Sequence, residues 1–535
     1  ISDYALEIKR SGFSVYEHKD KYMAEKRSSK TLNSSRNIVF GFALKLYQLL
    51  MPFIIRTIII YVLGMEYAGL NSLFTSILSV LNIAELGVGT IMVFYMYKPI
   101  EEKETAKICA LMCLYKIYYR IIGTIVLAIG LALVPFLPNL VKGNIPAGIN
   151  LYTLYYLNLG ATVFSYWLFA YKNSLFQAHQ RNDVVSKVTL LTDTIKYILQ
   201  ISLLYIFKDY YYYVIVLLLV QILNNILIAK RANKAYPEYK PQGSLTKSER
   251  QQINTSIKDV FYGQLGMTIT LSIDSIIISA FLGLVPLAQY QNYYYIVNAL
   301  IAFFTIFYQS LRASIGTNIL VKSSQNNYID FKFITFLVMA ALSFCSASLL
   351  TMFQPFIKLW VGGKNLLNYG CVILLVIYFL VYEFSVMIGC YKDISGKWHA
   401  DRFRALITAV VNLGTNIIMV QYIGLYGVLL STILSFAFIN IPWLYHRVFI
   451  DVFNKEQKQD YTKYLVKMIG VLLIISVVSY VLCNRITVSS TVAQLCINFL
   501  ICILSTIVIF YTFNKNDIGV SRIFGLAKRV VKRVV

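Results

Sequence analysis

Apolar and polar positions alternate along this chain in long blocks. About fourteen stretches of roughly 18 or more mostly apolar residues can be marked, and a helix needs about 20 such residues to cross a bilayer. The pattern therefore predicts an all-α polytopic membrane protein with about 14 transmembrane helices. The predicted spans are 38–62, 68–96, 119–138, 149–171, 187–207, 211–230, 258–281, 287–312, 331–353, 366–391, 403–421, 424–446, 463–483 and 491–512.

Lysine and arginine residues alternate in step with these spans. Of the 49 such residues, about 41 lie in the two tails and in every second connection, as the positive-inside rule requires of cytoplasmic segments. Five lie in the other connections, namely Lys142, Lys208, Lys358, Lys364 and Arg485. Three lie inside spans, namely Lys45, Arg56 and Lys196. The pattern predicts a multi-pass protein with both termini in the cytoplasm.

The longest internal connection, 230–258, is polar, and its two prolines and one glycine disfavour a continuous helix. It separates six spans from six more, and two further spans follow. We therefore predict two pseudo-symmetric six-helix lobes and a C-terminal helix pair. The expected boundaries are a cytoplasmic tail at 1–36, an N-lobe (helices 1–6) at 37–232, a linker at 233–252, a C-lobe (helices 7–12) at 253–447, helices 13–14 at 463–512, and a basic amphipathic cytoplasmic tail at 513–535.

The two predicted lobes are weakly similar in sequence. Leu63-Gly64 at the end of the first span corresponds to Leu282-Gly283 at the end of the seventh. Both spans run from inside to outside, so a parallel repeat about the membrane normal, with a central cleft, is expected. Chance similarity between two apolar segments that end in Leu-Gly explains the match equally well.

The formal net charge is +24. A strongly positive charge is also typical of nucleic-acid-binding proteins. Here the basic residues lie at the expected cytoplasmic surface, where each gains about 1 kcal/mol from anionic headgroups. Membrane lipids, and no nucleic acid, are therefore the predicted partners. The eight cysteines lack metal-ligand spacing, and no phosphate-binding loop occurs. We predict no cofactor, no metal site and no catalytic residue, so the chain is not expected to be an enzyme.

The first span carries a polar stripe at helical spacing. Its members share one helix face and are Asn37, Gly41, Lys45, Gln48, Pro52 and Arg56. Ionisable groups at membrane depth are costly against lipid, so they face a cavity or a partner. Lys45, Gln48 and Arg56 are therefore candidate substrate-binding residues. Pro52 is a candidate hinge because it interrupts the backbone hydrogen-bond ladder.

The seventh span carries a second stripe, which reaches Asp274. Arg56 and Asp274 fall at similar depth in the two repeat-related helices. We expect both to face the central cleft and to pair when its outer side is closed. The alternative is that helices of its own half satisfy each residue. Asn71, on a polar face of the second span, is a further cavity candidate.

Other ionisable groups inside spans have two interpretations each. Glu85, toward the cytoplasmic end of the second span, either carries a coupling proton or cation or pairs with a basic residue. Lys196 and Asp193 in the fifth span are three residues apart and either neutralise each other or line a cavity, with Lys196 a substrate-binding candidate. Glu383 in the tenth span is a candidate of the same kind as Glu85.

Several local motifs make the chain similar to a known family. They are SRN at 35–37, PFIIRT at 52–57, LGMEYAGLNSLF at 63–74, LNIAELGVG at 81–89, YKP at 97–99, QAHQRND at 177–183 and GLYGV at 424–428. Together they resemble the Wzx-type polysaccharide flippases of the multidrug/oligosaccharidyl-lipid/polysaccharide exporter superfamily. The resemblance covers roughly residues 34–512, and its N-terminal motifs are the more specific.

The resemblance implies a two-lobed fold with a cationic central cavity. It implies that an undecaprenyl-diphosphate-linked oligosaccharide moves from the inner to the outer leaflet of the bacterial cytoplasmic membrane by alternating access. A polysaccharide polymerase and other assembly proteins are the implied protein partners. A proton, a sodium ion or no ion at all remains open as the coupling species, and so does the glycan.

Two other functions compete with this interpretation. A cation-coupled drug exporter of the same superfamily would favour an acidic cavity, whereas the first span offers cations. A membrane-embedded polymerase or acyltransferase would need a sizeable outer loop or an intramembrane histidine, and the sequence offers neither.

Overall fold

The computed structural model describes residues 36–37, 39–85, 87–143, 145–321, 323–394, 401 and 403–534. These residues are folded into α-helices joined by short turns, and none of them forms a strand. The predicted all-α fold class is confirmed. The predicted tail at 1–36 lies, apart from Arg36, outside the described residues.

Eighteen α-helices occur in the described part of the chain. We number them in chain order: α1 Val39–Val62, α2 Met65–Leu81, α3 Val88–Glu101, α4 Thr105–Leu133, α5 Leu151–Trp167, α6 Asn173–Ala178, α7 Asn182–Phe207, α8 Tyr210–Ala235, α9 Lys247–Phe281, α10 Leu284–Val321, α11 Ser324–Val361, α12 Tyr369–Ile394, α13 Arg404–Ile423, α14 Leu425–Ser435, α15 Ile441–Asp451, α16 Lys455–Arg485, α17 Thr491–Asn514 and α18 Ile518–Val534.

Thirteen helical segments of the described chain are long and apolar enough to cross a membrane. They correspond to thirteen of the predicted spans, and the chain is a multi-pass membrane protein. The remaining predicted span, 149–171, contains α5, which has 17 residues and is therefore shorter than the usual spanning length of about 20.

Two helices begin well before their predicted spans because each has a capping box that lies in polar sequence. At the start of α9, the Thr246 hydroxyl accepts from the Glu249 amide at 3.3 Å, and the Glu249 carboxylate accepts from the Thr246 amide at 3.1 Å. Asn454 and Gln457 form the same reciprocal pair at the start of α16. Such pairs satisfy the free amides of a first helical turn, so the helices extend beyond the apolar sequence.

The second predicted span, 68–96, is not one continuous helix. It ends as α2 at Leu81, passes through a 3₁₀ turn at Asn82–Glu85, and restarts as α3 at Val88. Gly87 has a φ of 87°, a left-handed conformation that glycine adopts without steric cost. Broken helices at membrane depth occur where the backbone lines a cavity or is buried in protein.

The described residues divide into two compact units. The first unit contains the chain up to Ile58, together with Ala84–Ala132 and Tyr152–Lys258. The second contains Ile59–Ile83, Leu133–Leu151 and the chain from Asp259 onward. The predicted lobes at 37–232 and 253–447 stay a prediction.

In the first unit, side chains at the beginning of α1 hold α7 in place. Asn37 donates to the carbonyl of Gln180 at 2.7 Å and accepts from the amide of Asp183 at 2.8 Å, so it caps the first turn of α7. Further along, the Tyr47 hydroxyl donates to Thr194 at 3.0 Å. α7 in turn packs against α8.

In the second unit, two helix corners have the same backbone conformation. Gly64 follows α1 with a φ of 113°, and Gly283 follows α9 with a φ of 103°. The amides of Gly64 and Gly283 bond to the carbonyls of Ile59 and Ile278, five residues earlier in each case. These are the Leu-Gly pairs that the sequence aligns, and the proposed repeat as a whole stays a prediction.

The C-terminal α18 packs against α11 of the same unit. Arg522 pairs with Asp330 at 2.8 Å, and Gly519 lies against the ring of Phe336. The sequence predicts a basic amphipathic helix here.

We expect Gly69→Ala to destabilise the protein, because a Cβ at Gly69 of α2 would lie 2.1 Å from the carbonyl oxygen of Leu284 at the start of α10. Backbone at this contact has little room to move, so the overpacking should cost about 1–3 kcal/mol. The thermal unfolding midpoint of the purified protein measures the change. Gly470→Ala in α16, where a Cβ has no neighbour within 4 Å, is the matched control and should leave the midpoint unchanged or raise it. Equal midpoints for both variants would contradict the close α2–α10 contact.

Candidate functional site

The polar stripe predicted in the first span lies on α1. Lys45 and Gln48 are exposed, whereas Arg56 is buried, with 2% of its surface accessible. α1 is helical without interruption through Pro52, and a hinge there stays a prediction. A buried arginine at membrane depth is costly to desolvate unless polar groups of the protein compensate it.

Lys196 and Asp193 lie on α7, in the same unit as α1. The Lys196 ammonium is 2.6 Å from the Asp193 carboxylate and 4.3 Å from the ring centre of Tyr197. Both charged side chains are partly buried. The two charges offset each other locally, which is the neutralising alternative that their spacing offers. A cavity role for Lys196 stays a prediction.

Glu85 is held by tyrosines at the end of the 3₁₀ turn between α2 and α3. The phenol of Tyr119 donates to its carboxylate, and Tyr115 donates to Tyr119 at 2.9 Å. Tyr166 of α5 is hydrogen-bonded to the same carboxylate. The described contacts of the Glu85 carboxylate are thus phenol hydroxyls, which orient it.

A cavity of about 410 Å³ adjoins Glu85 within the first unit. Its polar lining includes Ser165, Asn173, Gln177, Gln221, Asn224 and Asn225. Two interruptions of helical structure lie at its wall, the 3₁₀ turn before α3 and the segment around Phe169, whose φ of 59° is left-handed. We call this space the first-unit cavity.

Amide side chains in the first-unit cavity have unused hydrogen-bonding capacity. The side-chain oxygen of Asn173 is buried and has no donor among the described residues. Asn224 accepts from the Thr192 hydroxyl at 3.0 Å, and Asn225 donates to the carbonyl of Ser165 at 2.9 Å. A buried amide oxygen without a donor is costly, so a bound water or ligand is expected to complete it.

The histidine that follows α6 adds no positive charge near the first-unit cavity. His179 stacks on Tyr236 with ring centroids 4.2 Å apart, and its Nδ1 lies 2.8 Å from the carbonyl of Leu175. Burial lowers the pKa of His179 below its usual value near 6.5, so the ring is neutral at pH 7.

Asp274 of α9 has hydrogen-bond donors within the second unit. Asn416 of α13 donates to its carboxylate at 2.6 Å, and Thr432 of α14 lies 3.0 Å from the other carboxylate oxygen. Asn412 donates to the Thr432 hydroxyl at 2.9 Å. All four side chains are buried. The predicted pairing of Asp274 with Arg56 stays a prediction.

Two amide oxygens of this cluster, those of Asn412 and Asn416, are buried and have no donor among the described residues. They belong to the same buried cluster as the Asp274 carboxylate and the Thr432 hydroxyl. Such oxygens are the ligands that small hard cations prefer. The described residues contain no group of three or more His, Cys, Asp or Glu placed to hold a metal ion.

Glu383 and Asn71 belong to the second unit. Glu383 of α12 is buried, with 1% of its surface accessible, and one of its carboxylate oxygens has no donor among the described residues. Tyr308 donates to its backbone carbonyl at 3.3 Å. Asn71 of α2 is partly exposed.

Sequence reasoning missed the amides in both clusters, although a signal was present. Gln221, Asn224 and Asn225 share one face of an otherwise apolar helix, and Asn412 and Asn416 are one turn apart. Polar side chains at helical spacing inside a membrane span indicate a buried face as clearly as charged ones do.

The chain matches one protein family and one transporter fold. The sequence profile of the family described as polysaccharide biosynthesis protein matches residues 34–312, just over half of the chain. No curated protein sequence matches. Among solved structures, the chain is similar to the lipid II flippase MurJ in an inward closed conformation, with 16% identity over 90% of this chain and 99% of that chain and a TM-score of 0.60.

Two further solved structures share this fold. A multidrug resistance MATE family transporter of the MOP superfamily, inward-facing, is 15% identical over 76% of this chain and 94% of that chain, with a TM-score of 0.54. A mutant of the Vibrio cholerae MATE transporter VcmN is 14% identical over 81% of this chain and 98% of that chain, with a TM-score of 0.50. At these identities the likeness shows a MurJ/MATE-like fold.

We expect Asn416→Leu to destabilise the protein by about 1 kcal/mol, because it removes a donor from the buried Asp274 carboxylate. In an Asp274→Asn background the same change should cost much less, since the carboxyl group that accepts the bond is gone. Thermal unfolding midpoints of the two single variants and the double variant give the coupling. Gln421→Leu, on an exposed face of the same helix, is the control. Additive effects of the two substitutions would contradict the bond.

Proposed function

Because the chain belongs to the polysaccharide biosynthesis protein family, we propose that it moves a lipid-linked oligosaccharide across a bacterial cytoplasmic membrane. The proposed substrate is an undecaprenyl-diphosphate-linked unit, which passes from the inner to the outer leaflet for surface polysaccharide biosynthesis. The family match over residues 34–312 is the observation that carries the proposal. The MurJ-like fold supports it, because MurJ is a flippase of a lipid-linked substrate, lipid II.

The charges on α1 suit the anionic part of this substrate. Lys45 is exposed and Arg56 is buried on the same helix. A guanidinium binds the oxygens of a phosphate in bidentate fashion, and in a dry environment such a contact is stronger than in water. We assign the diphosphate to Arg56 and Lys45, with Gln48 as a neutral donor between them.

Transport would proceed by alternating access, with Pro52 as the hinge of α1. A ligand biases such an equilibrium only if its affinities for the two states differ. Arg56 is buried in this conformation, so a substrate could bind it only in another conformation. The affinities of the two states would therefore differ. In the proposed orientation both termini lie in the cytoplasm. A polysaccharide polymerase and other assembly proteins are the proposed protein partners.

A drug exporter is the second candidate, because MATE transporters have the same fold. Cations on α1 disfavour it, since cationic drugs call for acidic sites, although Glu85 and Asp274 are acidic. A membrane-embedded polymerase or acyltransferase is less well supported, because the family and the fold are those of exporters.

We place the coupling cation, a proton or a sodium ion, at the cluster of Asp274, Asn412, Asn416 and Thr432. The two amide oxygens without donors support this placement. A cation there would bind to the Asp274 carboxyl group, whose contacts described above are with neutral donors.

We expect Arg56→Ala to reduce export of the lipid-linked glycan at least about tenfold, the value of one lost charge-assisted contact. Arg56→Lys keeps the charge but loses the bidentate geometry and should be partly active. Surface polysaccharide and accumulated lipid-linked precursor, measured in cells that lack the native copy, report the effect. Arg485→Ala, which changes an exposed basic residue at the end of α16, is the control, with protein levels checked by immunoblot. Normal export by Arg56→Ala would reject the assignment.

We also expect a cation to raise the thermal unfolding midpoint through the Asp274 cluster, because a ligand that binds only the folded state stabilises it. Melting in sodium chloride and in choline chloride at equal ionic strength tests sodium, and melting at lower pH tests the proton. Asn416→Leu should abolish the response, while Gln421→Leu should keep it. A response that survives Asn416→Leu would move the cation site elsewhere.

A further inference from the structure

We propose that the first-unit cavity binds one uncharged or amino sugar residue of the transported glycan, with Glu85 and the surrounding amides as its hydrogen-bonding groups. The proposal rests on the proposed function, which assigns a glycan as the substrate. It adds a site for the sugar that is separate from the cations of α1.

The lining of the cavity matches the hydroxyl groups of a sugar. Each hydroxyl both donates and accepts, and so does each side-chain amide. The buried oxygen of Asn173 is ready to accept from a hydroxyl. The Asn224 oxygen is occupied by Thr192, which leaves its amide nitrogen to donate. Sugar hydroxyls would therefore complete bonds that the protein leaves open.

Glu85 is prepared to accept from a ligand. Tyr119 and Tyr166 hold its carboxylate in place, and Tyr115 supports Tyr119. A carboxylate has about four acceptor positions, so two phenols leave room for further donors. Gly89 permits this packing, because a Cβ there would lie 3.1 Å from the Tyr115 hydroxyl.

The walls of the cavity also suit the apolar faces of a pyranose ring. Tyr115, Tyr119 and Tyr166 are buried along it, while Phe169 is 43% exposed. Phe169 also has a left-handed backbone, and non-glycine residues held in this region often mark ligand sites. An exposed aromatic ring at the rim of a polar cavity offers a stacking surface to an entering ring.

Charge and size disfavour two other ligands. Among the described residues that line the cavity none is lysine or arginine, and one is a glutamate, so a diphosphate would be repelled. Lys172 contacts the ring of Phe169, but its ammonium donates to Asn233. A volume of about 410 Å³ falls within the range of small-molecule sites, about 300–1,000 Å³, and is too large for a bare ion.

The two helix breaks place this site where transporters build ligand sites. The 3₁₀ turn that ends at Glu85 and the irregular segment around Phe169 both contribute to the wall. Interrupted helices direct backbone polar groups into a cavity. Both helix breaks thus lie at the wall of one polar cavity.

Saturation-transfer NMR on the full chain in a glycan-free amphiphile tests the proposal. The probes are methyl α-glucoside, N-acetylglucosamine and glucosamine at millimolar concentration. We expect at least one of them to bind the wild type. Glu85→Gln and Gln221→Leu should each weaken that binding about tenfold, the value of one good hydrogen-bonding contact. Leu219→Ala, 58% exposed on the same helix as Gln221, is the matched control and should bind like the wild type.

Two outcomes would overturn the sugar site. One is sugar binding that Glu85→Gln and Gln221→Leu leave unchanged. The other is the absence of sugar binding when inorganic diphosphate or tetraphenylphosphonium binds in a manner that depends on Glu85 and Gln221. Melting curves identify a variant that fails to fold. If one of the two variants does not fold, sugar binding by the other variant tests the proposal.

The export assay separates this proposal from the proposed function. If the wild type exports glycan and both cavity variants export at the wild-type rate, the sugar site is wrong and the flippase proposal stands. If the wild type binds sugars through Glu85 but exports no lipid-linked glycan, the proposed function is wrong and the sugar site stands. Export that falls in both cavity variants, with Leu219→Ala unaffected, supports both.

Discussion

Every polar group at membrane depth must find its partner inside the protein, because lipid provides none. Because of this constraint, an interrupted helix is tolerated only where its backbone is buried in protein or lines a polar cavity. The 3₁₀ turn between α2 and α3 interrupts the α-helical structure, and it occurs beside a cavity lined by amides and phenols. Asp274 shows the same principle with a carboxyl group, since Asn416 and Thr432 donate to it. Polar atoms are thus gathered into a few clusters, and these clusters are the candidate sites.

Apolar length was enough to predict the membrane fold, but it could not predict where helices begin or break. The positions of the spans follow from transfer free energy, which extends over about 20 residues. A capping box such as Thr246 with Glu249 involves two side chains in polar sequence, outside the hydrophobic signal. The break at Gly87 depends on one glycine in a run that is otherwise suitable for a helix. Capping side chains and single glycines therefore determine the helix ends and breaks, which a hydropathy average over about 20 residues does not resolve.

The candidate site was predicted only in part, for a related reason. Periodicity places Lys45 and Arg56 on one face of α1, yet it does not reveal that Lys45 is exposed and Arg56 buried. The sequence argument selected charged residues within spans because a charge in lipid is costly. The amides of α8 and α13 cost less, so the sequence argument did not include them, although Asn416 is one of the residues that donate to Asp274. Burial of a side chain depends on helices distant in sequence, which single-helix periodicity does not include.

The two kinds of polar surface in the first unit are chemically opposite. α1 offers a lysine and an arginine, whereas the described lining of the first-unit cavity offers a carboxylate, phenols and amides. A lipid diphosphate is fully ionised and gains from cations wherever it binds. A neutral sugar gains little from a cation but depends on the number and direction of its hydrogen bonds. Because the diphosphate is common to all substrates of this kind and the sugar varies, separate surfaces allow the sugar specificity to change while the anion contacts stay the same. A single shared surface would not, since each amide that suited a new sugar would displace a cation that the diphosphate needs.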